Sequence, residues 1–428
     1  MYTLPDGGLS LTELDDQLLQ PGVKGLPIVE PLHQHMIGVQ NWNVLNADTS
    51  FPVALLKDSA LQHNLQWMRG FCQRHGVLLA PHGKTTMSPQ LFGAQLGNGA
   101  WGITLATVPQ VQVAVRFGVR RVILANELVA PADIRVMLFL LQDDPHFEFY
   151  ALADSLSGVE RLAQAVRDFG LQRPLPLLVE LGMKGKRAGC RAPQEVLAVA
   201  RAIAAAPGLQ LAGIEGYEGL ADSPEAVNEF LQHMTQLVGA ADQEGLFGAD
   251  HILLSAGGSA YFDLVAHGFK GAKASKPVLP ILRSGCYLTN DHGHYHELIG
   301  ELDAREGDRH GLRPALEVWT TVLSCPEPNL AILSMGKRDA SFDLGLPQAI
   351  AAHRPGSGAL ALPEGCRIDK LNDQHAYLRW PEGSPSALQV GDLVGCGISH
   401  PCTTFDKWPL ILVVDDDYHV RHAINTFF

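Results

Sequence analysis

The chain has 428 residues, 46% of them hydrophobic and 18% charged, which allows a large buried core and excludes global disorder. It carries 32 Lys and Arg against 45 Asp and Glu, a net charge of −13 without a basic stripe, which argues against nucleic acid as a partner. No apolar run approaches the ~20 residues of a membrane span, and the first residues lack the pattern of a signal peptide. The seven cysteines are too few for a disulfide framework and predict reduced thiols and a cytoplasmic location.

From about Pro52 to Ser284, short apolar runs alternate with longer amphipathic stretches. Repeated strand–helix units at this spacing predict a parallel sheet, and eight units that close on themselves make an α/β barrel of the TIM type. Nine strands are one too many, and the spacing does not decide whether the first or the last lies outside the barrel. The predicted strands are Val53–Leu56, Val77–Ala80, Gly102–Leu105, Val122–Ala125, Phe149–Leu152, Leu177–Glu180, Leu211–Glu215, Ile252–Ser255 and Ile281–Ser284. The predicted helices include Ser59–His75, Pro109–Phe117, Ala132–Leu141, Ser155–Phe169, Pro193–Ala206 and Pro224–Gly245.

After about Gly300 the pattern changes, and short strands follow one another without a long helical period. The sequence therefore predicts a barrel over residues 51–295 and a β-rich C-terminal domain over residues 296–428. Residues 1–50 are predicted to form an N-terminal arm with an outer strand that packs on the β-rich domain. The predicted strands of that domain are Leu316–Ser324, Leu330–Ser334, Ala376–Trp380, Asp392–Gly397 and Leu410–Asp415.

Barrel enzymes place their chemistry at the C-terminal ends of the strands. Lys84 follows the second predicted strand, where its amine can form a Schiff base with a carbonyl compound or pyridoxal phosphate; alternatively it is an exposed lysine at a helix end. The segment from Ser255 to Ser259, with Gly257 and Gly258 inside it, follows another strand. Its backbone N–H groups can bind a phosphate, or it is simply a tight turn. Together, the lysine and the glycine-rich segment predict a site for pyridoxal phosphate.

A further strand end is basic and glycine-rich and contains Arg187. Its guanidinium can bind a phenolate or a carboxylate, or the loop is merely solvated. The choice between these two interpretations stays open at this point.

The β-rich region contains a possible metal site. His400 and Cys402 are two residues apart, so in an extended segment their side chains face the same way. An imidazole and a thiolate suit Zn²⁺, and two protein ligands leave positions for water or substrate, as in a catalytic zinc site; the alternative is a hydrogen-bonded His beside a small buried Cys. A rival cluster is His292, His294 and His296, which would share one face of a strand unless they form a polar loop. The remaining cysteines are treated as structural.

Several segments share a pattern with one known family. They are Pro81-His82-Gly83-Lys84-Thr85, Ile123-Leu124-Ala125-Asn126-Glu127, Gly216-Tyr217-Glu218-Gly219, Arg283-Ser284-Gly285-Cys286-Tyr287, His400-Pro401-Cys402-Thr403-Thr404-Phe405-Asp406 and Val413-Val414-Asp415-Asp416-Asp417-Tyr418. On these segments, from about Val53 to Phe428, the chain resembles the pyridoxal-phosphate proteins with an alanine-racemase-type barrel. More specifically, it resembles their D-serine dehydratase and D-threonine aldolase group.

The resemblance implies an alanine-racemase-type TIM barrel plus the C-terminal β-rich domain, with the strand Val53–Leu56 outside the barrel. It implies that Lys84 is the catalytic lysine and forms the Schiff base with pyridoxal phosphate. It also implies zinc on His400 and Cys402 beside the cofactor, and a homodimer. The cofactor-binding residues that it implies are Lys84, Arg187, Tyr217, Ser255, Gly257, Gly258, Ser259 and Tyr287.

The leading hypothesis is a dehydratase that converts a D-3-hydroxy amino acid such as D-serine to a 2-oxo acid and ammonia. Lys84 would remove the α-proton, and zinc would hold the departing hydroxyl. One alternative is a D-threonine-type aldolase that gives glycine and an aldehyde, where Asp usually replaces Cys402. Another is a dehydratase of D-threo-3-hydroxyaspartate.

Three further classes fit less well. A carrier of the cofactor has no use for the metal residues, and a racemase needs no metal. A zinc hydrolase built on His292–His296 has no use for Lys84.

Overall fold

The structure is a computed structural model that describes residues 6–307 and 311–428. In this part of the chain, no helix is both long enough and apolar enough to cross a membrane. The strands are β1 (Leu18–Leu19), β2 (Leu32–His33), β3 (Val53–Lys57), β4 (Leu78–Leu79), β5 (Ile103–Leu105), β6 (Arg121–Glu127), β7 (Glu148–Ala153), β8 (Leu175–Leu181), β9 (Leu209–Gly216), β10 (Ile252–Ala256), β11 (Val278–Leu282), β12 (Leu316–Glu327), β13 (Leu330–Leu333), β14 (Gln348–Arg354), β15 (Gly358–Leu360), β16 (Arg367–Leu371), β17 (Ala376–Arg379), β18 (Leu393–Gly397), β19 (Leu410–Val414) and β20 (Val420–Asn425).

The helices are α1 (Thr12–Asp15), α2 (Asp58–His75), α3 (Pro89–Gly97), α4 (Val108–Arg116), α5 (Pro131–Asp143), α6 (Leu156–Phe169), α7 (Pro193–Ala205), α8 (Pro224–Gln243), α9 (Phe262–Gly268), α10 (His294–Glu306) and α11 (Cys402–Phe405). Short 3₁₀ helices lie at Gln34–Gln40, Val44–Asn46, Gly83–Thr85, Glu218–Leu220 and Cys286–Leu288.

The chain divides into two compact units. The barrel unit comprises Arg69–Lys84 and Gln95–Gly285, and the β unit comprises the chain up to Met68, Thr85–Ala94 and Cys286–Phe428. The boundaries of these units differ from the predicted ranges 1–50, 51–295 and 296–428. One reason is that β3 hydrogen-bonds into the sheet of the β unit.

The barrel unit is a parallel sheet of eight strands in the order β4-β11-β10-β9-β8-β7-β6-β5. The sheet closes between β4 and β5, where the N–H of Trp101 donates to the carbonyl of Leu79 at 2.7 Å and the N–H of Thr104 donates to the carbonyl of Pro81 at 2.9 Å. Helices α4 to α9 follow β5 to β10 in turn. The predicted TIM barrel is confirmed.

The helix α6 shows how the sequence specifies these units. The hydroxyl of Ser155 accepts a hydrogen bond from the N–H of Gly158 at 3.3 Å and caps the first turn, and Gly170 ends the helix with φ +74°. The helix buries one face at helical spacing, made of Val159, Leu162, Ala163 and Val166.

The interior of an α/β barrel is a packed core, and here mainly aliphatic side chains and Tyr150 form it. Successive side chains of a strand point to opposite faces, and the inward set packs into one cluster while the outward set meets the helices. The inward cluster consists of Ala80, Ile123, Tyr150, Leu152, Leu178, Ala212, Leu253 and Ile281.

The β unit is organised around β12. This strand pairs antiparallel with β3, β13 and β18, and β3 also pairs parallel with β19. Of the nine predicted strands, the first, Val53–Leu56, is the one that lies outside the barrel sheet. It is observed as β3 (Val53–Lys57). N-terminal residues such as Leu19 and Ile37 are buried in the same core as Trp319 of β12.

Candidate active site

Lys84 lies at the C-terminal end of a barrel strand. It sits in the 3₁₀ helix Gly83–Thr85, soon after β4, with an exposed side chain. Nδ1 of nearby His82 is buried and has no hydrogen-bond partner among the described residues. Burial, and then the charges of Lys84, Arg283 and Arg187, lower the pKa of His82 well below its usual range. A neutral imidazole with an unused polar atom therefore precedes the lysine, and the sequence analysis did not single it out.

Arg187 and Tyr217 meet at the ends of two neighbouring strands. Arg187 follows β8 and Tyr217 follows β9, and the guanidinium carbon is 4.5 Å from the centroid of the tyrosine ring. A cation over an aromatic face at this distance is attracted to it. The structure thus brings together two of the residues predicted to bind the cofactor.

The predicted phosphate loop follows β10, and a carboxylate already binds its amides. Gly257 has φ +97°, a left-handed conformation that favours glycine, and a Cβ on Gly258 would lie 2.5 Å from Cε2 of Tyr217. The N–H of Gly257 donates to Oε2 of Glu218 at 2.8 Å, and the N–H of Gly258 donates to Oε1 at 2.7 Å. The loop therefore has the geometry of an anion site, and the anion here is the protein's own side chain.

The other predicted cofactor residues are placed differently from one another. Ser255 is fully buried in β10, and its hydroxyl donates to the carbonyl of Ile281 at 3.2 Å, so it is committed to the sheet. Ser259 is partly exposed just beyond Gly258. Tyr287 belongs to the β unit, where it is buried in the 3₁₀ helix Cys286–Leu288.

We predict that Glu218→Gln lowers the free energy of unfolding of the cofactor-free protein by about 1–3 kcal/mol. Glu218 is buried and accepts from two amides with its two oxygens, whereas an amide side chain offers one acceptor and points N–H groups at the other donor. Denaturant unfolding measures the change. Glu229→Gln, at an exposed position of α8, is the control, and equal stability of the two variants would contradict the prediction.

Buried acidic groups lie at the same end of the barrel, and the sequence analysis missed their role. Glu215 forms a buried ion pair with Arg283, whose Nη2 also donates to the carbonyl of Gly216 at 2.9 Å. Burial, and then the charge of Glu215 and contact with Glu127, raise the pKa of Glu180 to about 9, so this group is an uncharged acid at neutral pH. The available signal was an acidic residue at the end of each of two apolar runs, Leu177–Glu180 and Leu211–Glu215.

His400 and Cys402 come together in the β unit, but not in the predicted way. The segment is not extended, because Pro401 has the helical angles φ −59° and ψ −47° and Cys402 begins α11. Their side chains nevertheless act on each other, because each is among the causes that shift the pKa of the other. Sγ of Cys402 also lies 3.4 Å from Oγ1 of Thr85, the residue that follows Lys84 in the sequence.

The surroundings of this pair favour metal binding. Hydrogen bonds from Cys286 and His400 hold the pKa of Cys402 well below its usual range, against the effect of burial. Nδ1 of His400 lies 2.7 Å from Oδ2 of Asp343. Such a contact fixes the tautomer whose Nε2 carries the lone pair that a metal ion binds. Burial disfavours the charged imidazole of His400, but contacts with Cys402 and Asp343 outweigh this effect and raise its pKa to about 9. A metal ion would therefore displace a proton here.

The rival histidine cluster does not have the predicted geometry. His294 and His296 lie in the first turn of α10, where residues two apart point about 160° apart around the axis, so they cannot share a face as on a strand. Burial lowers the pKa of His292 to about 4. The prediction of one shared strand face is therefore wrong.

Asp343 is a residue that sequence reasoning did not find, and we predict that Asp343→Asn weakens metal binding about 10–100-fold. Its Oδ1 also accepts from the hydroxyl of Thr403 at 2.8 Å, so the carboxylate holds the imidazole in one orientation. Competition with a chelator measures the affinity. Asp373→Asn, an exposed acidic position of the same unit, should bind the metal as the unchanged protein does.

A comparison with known families identifies the barrel. The model of "Alanine racemase, N-terminal domain" matches residues 57–270, half of the chain. The chain belongs to this family. The model of "Putative serine dehydratase domain" matches residues 315–414, which contain both His400 and Cys402.

Similar proteins are aldolases and dehydratases of D-amino acids. A D-threonine aldolase from Arthrobacter sp. is 26% identical over 372 residues, 85% of this chain and 89% of the relative. A D-threo-3-hydroxyaspartate dehydratase from Delftia sp. is 28% identical over 191 residues, 43% of this chain and 48% of the relative.

Solved structures show the same fold. A D-threonine aldolase from Filomicrobium marinum has a TM-score of 0.73 at 20% identity, over 89% of this chain and 96% of that one. A cysteine variant of a D-threo-3-hydroxyaspartate dehydratase in a metal-free form has a TM-score of 0.70 at 21% identity, over 90% of this chain and 99% of that one. The predicted alanine-racemase-type fold and the resemblance to the D-serine dehydratase and D-threonine aldolase group are confirmed. The predicted lyase class is confirmed as well, and both alternative activities occur among the relatives.

Proposed function

We propose that the protein is a lyase dependent on pyridoxal phosphate and zinc that dehydrates a D-3-hydroxy amino acid to a 2-oxo acid and ammonia. The observation that carries the proposal is the pairing of His400 with Cys402 in front of Asp343, in a family whose barrel offers Lys84 at a strand end. We also propose that the enzyme works as a cytoplasmic homodimer.

The barrel residues fit pyridoxal phosphate. Lys84 offers an exposed amine for its aldehyde, Arg187 and Tyr217 offer a guanidinium and a phenol, and the loop Gly257–Ser259 already has the geometry to hold an anion. The unused buried nitrogen of His82 is a further polar atom that a ligand can satisfy. When bound, the cofactor withdraws electrons from Cα of the amino acid.

The residues of the β unit fit zinc. His400 and Cys402 supply one nitrogen and one sulfur, and these softer ligands select zinc over magnesium or calcium. Asp343 keeps the imidazole oriented for binding. When bound, the ion supplies a Lewis acid for an oxygen of the substrate.

The chain itself supplies binding and proton transfer. The amine of Lys84, once unprotonated, accepts the proton of Cα. Arg187 offers positive charge for a phenolate or a carboxylate, and its contact with Tyr217 limits the orientations of both side chains. Glu180, uncharged at neutral pH, keeps the end of the barrel from accumulating negative charge next to Glu215.

Two observations bear on the reaction type. The serine dehydratase domain model covers the metal residues, and a thiolate in the metal site supports dehydration, in which the β-oxygen leaves. The second candidate is retro-aldol cleavage to glycine and an aldehyde, because the D-threonine aldolase matches a larger part of the chain than the dehydratase does.

The test is product analysis on purified protein with pyridoxal phosphate and zinc, using D- and L-forms of serine, threonine and 3-hydroxyaspartate. We expect ammonia and a 2-oxo acid from D-substrates alone, and loss of turnover after chelation with recovery on adding zinc. Glycine plus an aldehyde would replace the dehydratase with the aldolase. Turnover that survives complete metal removal would overturn the role of the metal in either reaction.

A further inference from the structure

We propose that Cys286 is a third protein ligand of the metal ion, which is then held by two thiolates and one imidazole. The inference rests on the proposed function and makes its metal site specific. Within the β unit, Sγ of Cys286 lies 3.6 Å from Sγ of Cys402, and Cys402 also contacts His400. The sequence analysis treated Cys286 as structural, because it stands 116 positions before Cys402 in the chain.

The distance between the sulfurs suits a shared ion. Two thiolates on a tetrahedral zinc with bonds of about 2.3 Å lie about 3.8 Å apart. The observed 3.6 Å is already close to this value. The imidazole of His400 must turn toward the two sulfurs to complete the set, because the three donor atoms do not all lie within 4.8 Å of one another. Oγ1 of Thr85 lies 3.9 Å from Cys286 and 3.4 Å from Cys402, so a polar group rather than a hydrocarbon borders the pair.

The chemistry of this donor set suits a catalytic site. The two sulfurs lie within hydrogen-bonding distance of each other, and metal binding at thiols releases their protons. Two thiolates balance the charge of a divalent ion, which matters because Cys286 is buried. Two Cys and one His with an open fourth position form a known type of catalytic zinc site.

Other cysteines have a different environment. Sγ of Cys190 donates to the carbonyl of Asp154 at 3.1 Å, and Sγ of Cys325 approaches the carbonyl of Leu388 at 3.8 Å. Both of these thiols contact backbone carbonyl oxygens, which fits a structural role. Cys286 instead meets a second sulfur that belongs to the proposed metal pair.

The test replaces zinc with Co²⁺ and records the thiolate-to-cobalt absorption in the near ultraviolet, as a difference between cobalt-loaded and metal-free samples of the same holoenzyme. The intensity of this band counts the bound thiolates. We expect Cys286→Ser to show about half the intensity of the unchanged protein, and Cys325→Ser, the matched control at an exposed thiol, to keep it in full. X-ray absorption of the zinc-loaded unchanged protein should show two sulfurs at about 2.3 Å from the ion. This measurement uses no variant, so it stays informative even if Cys286→Ser does not fold.

The outcomes separate the two proposals. A full band in Cys286→Ser, or a single sulfur in the X-ray absorption, overturns the role of Cys286 and leaves the metal site in place. No cobalt band in the unchanged protein removes the metal site itself, and the proposed function falls with it.

Discussion

Lys84→Ala is expected to lower turnover about 10²–10⁴-fold and to abolish covalent attachment of pyridoxal phosphate to the chain. The substitution removes the side-chain amine, which is the group that reacts with an aldehyde and accepts a proton. Steady-state kinetics gives the first effect. Borohydride reduction followed by mass spectrometry of the intact chain gives the second. Metal content should not change, because His400, Cys402 and Asp343 are untouched.

Two controls sharpen this result. Lys84→Arg keeps the positive charge without a reactive amine and should fail in the same way. Lys184→Ala, at an exposed lysine in the loop after β8, should behave as the unchanged protein does. Covalent attachment of the cofactor to Lys84→Ala would move the reactive amine to another lysine and contradict the assignment.

Cys402→Ser is expected to lose most of the bound zinc and at least about 10² of the turnover, since a Lewis acid on a leaving oxygen contributes several kcal/mol. The hydroxyl is a poorer ligand than the thiolate, and the variant also loses the sulfur that contacts both His400 and Cys286. Metal analysis after dialysis and steady-state kinetics measure the two effects. The absorption band of bound pyridoxal phosphate should persist.

The pattern across variants is the decisive feature. Lys84→Ala should lose the cofactor attachment and keep the metal, while Cys402→Ser should do the reverse. Cys366→Ser, a half-buried cysteine of the β unit, should keep both. Full zinc content in Cys402→Ser would show that this thiolate is not a required ligand.

The barrel could be predicted from sequence because most of its strands are short apolar runs followed by an amphipathic helix. All nine predicted strands up to Ser284 overlap observed ones, and six predicted helices differ from observed ones by at most two residues at either end. The second unit was predicted less completely. Strands such as Gln348–Arg354 and Arg367–Leu371 lie partly exposed and alternate weakly, so they carry little periodic signal.

The site residues that sequence reasoning finds and those that it misses also differ in how local their signal is. Lys84, Arg187 and His400 have reactive or charged groups next to recognisable segments, so sequence reasoning selects them. Asp343 and Cys286 matter only through contacts that span 57 and 116 positions of the chain, which no local pattern reveals. The helix α10 was missed because a run of histidines does not show whether its period is two or 3.6 residues.

The carboxyl group of Glu218 accepts from the N–H groups of both Gly257 and Gly258, so these donors are already occupied. A phosphate that uses the amides of Gly257 and Gly258 must displace a carboxyl group of the protein rather than water, so binding becomes an exchange of one acceptor for another. The two hydrogen bonds to Glu218 hold the loop in this conformation. Any anion that binds these two amides therefore requires the side chain of Glu218 to move, which couples binding at the loop to a movement of this residue.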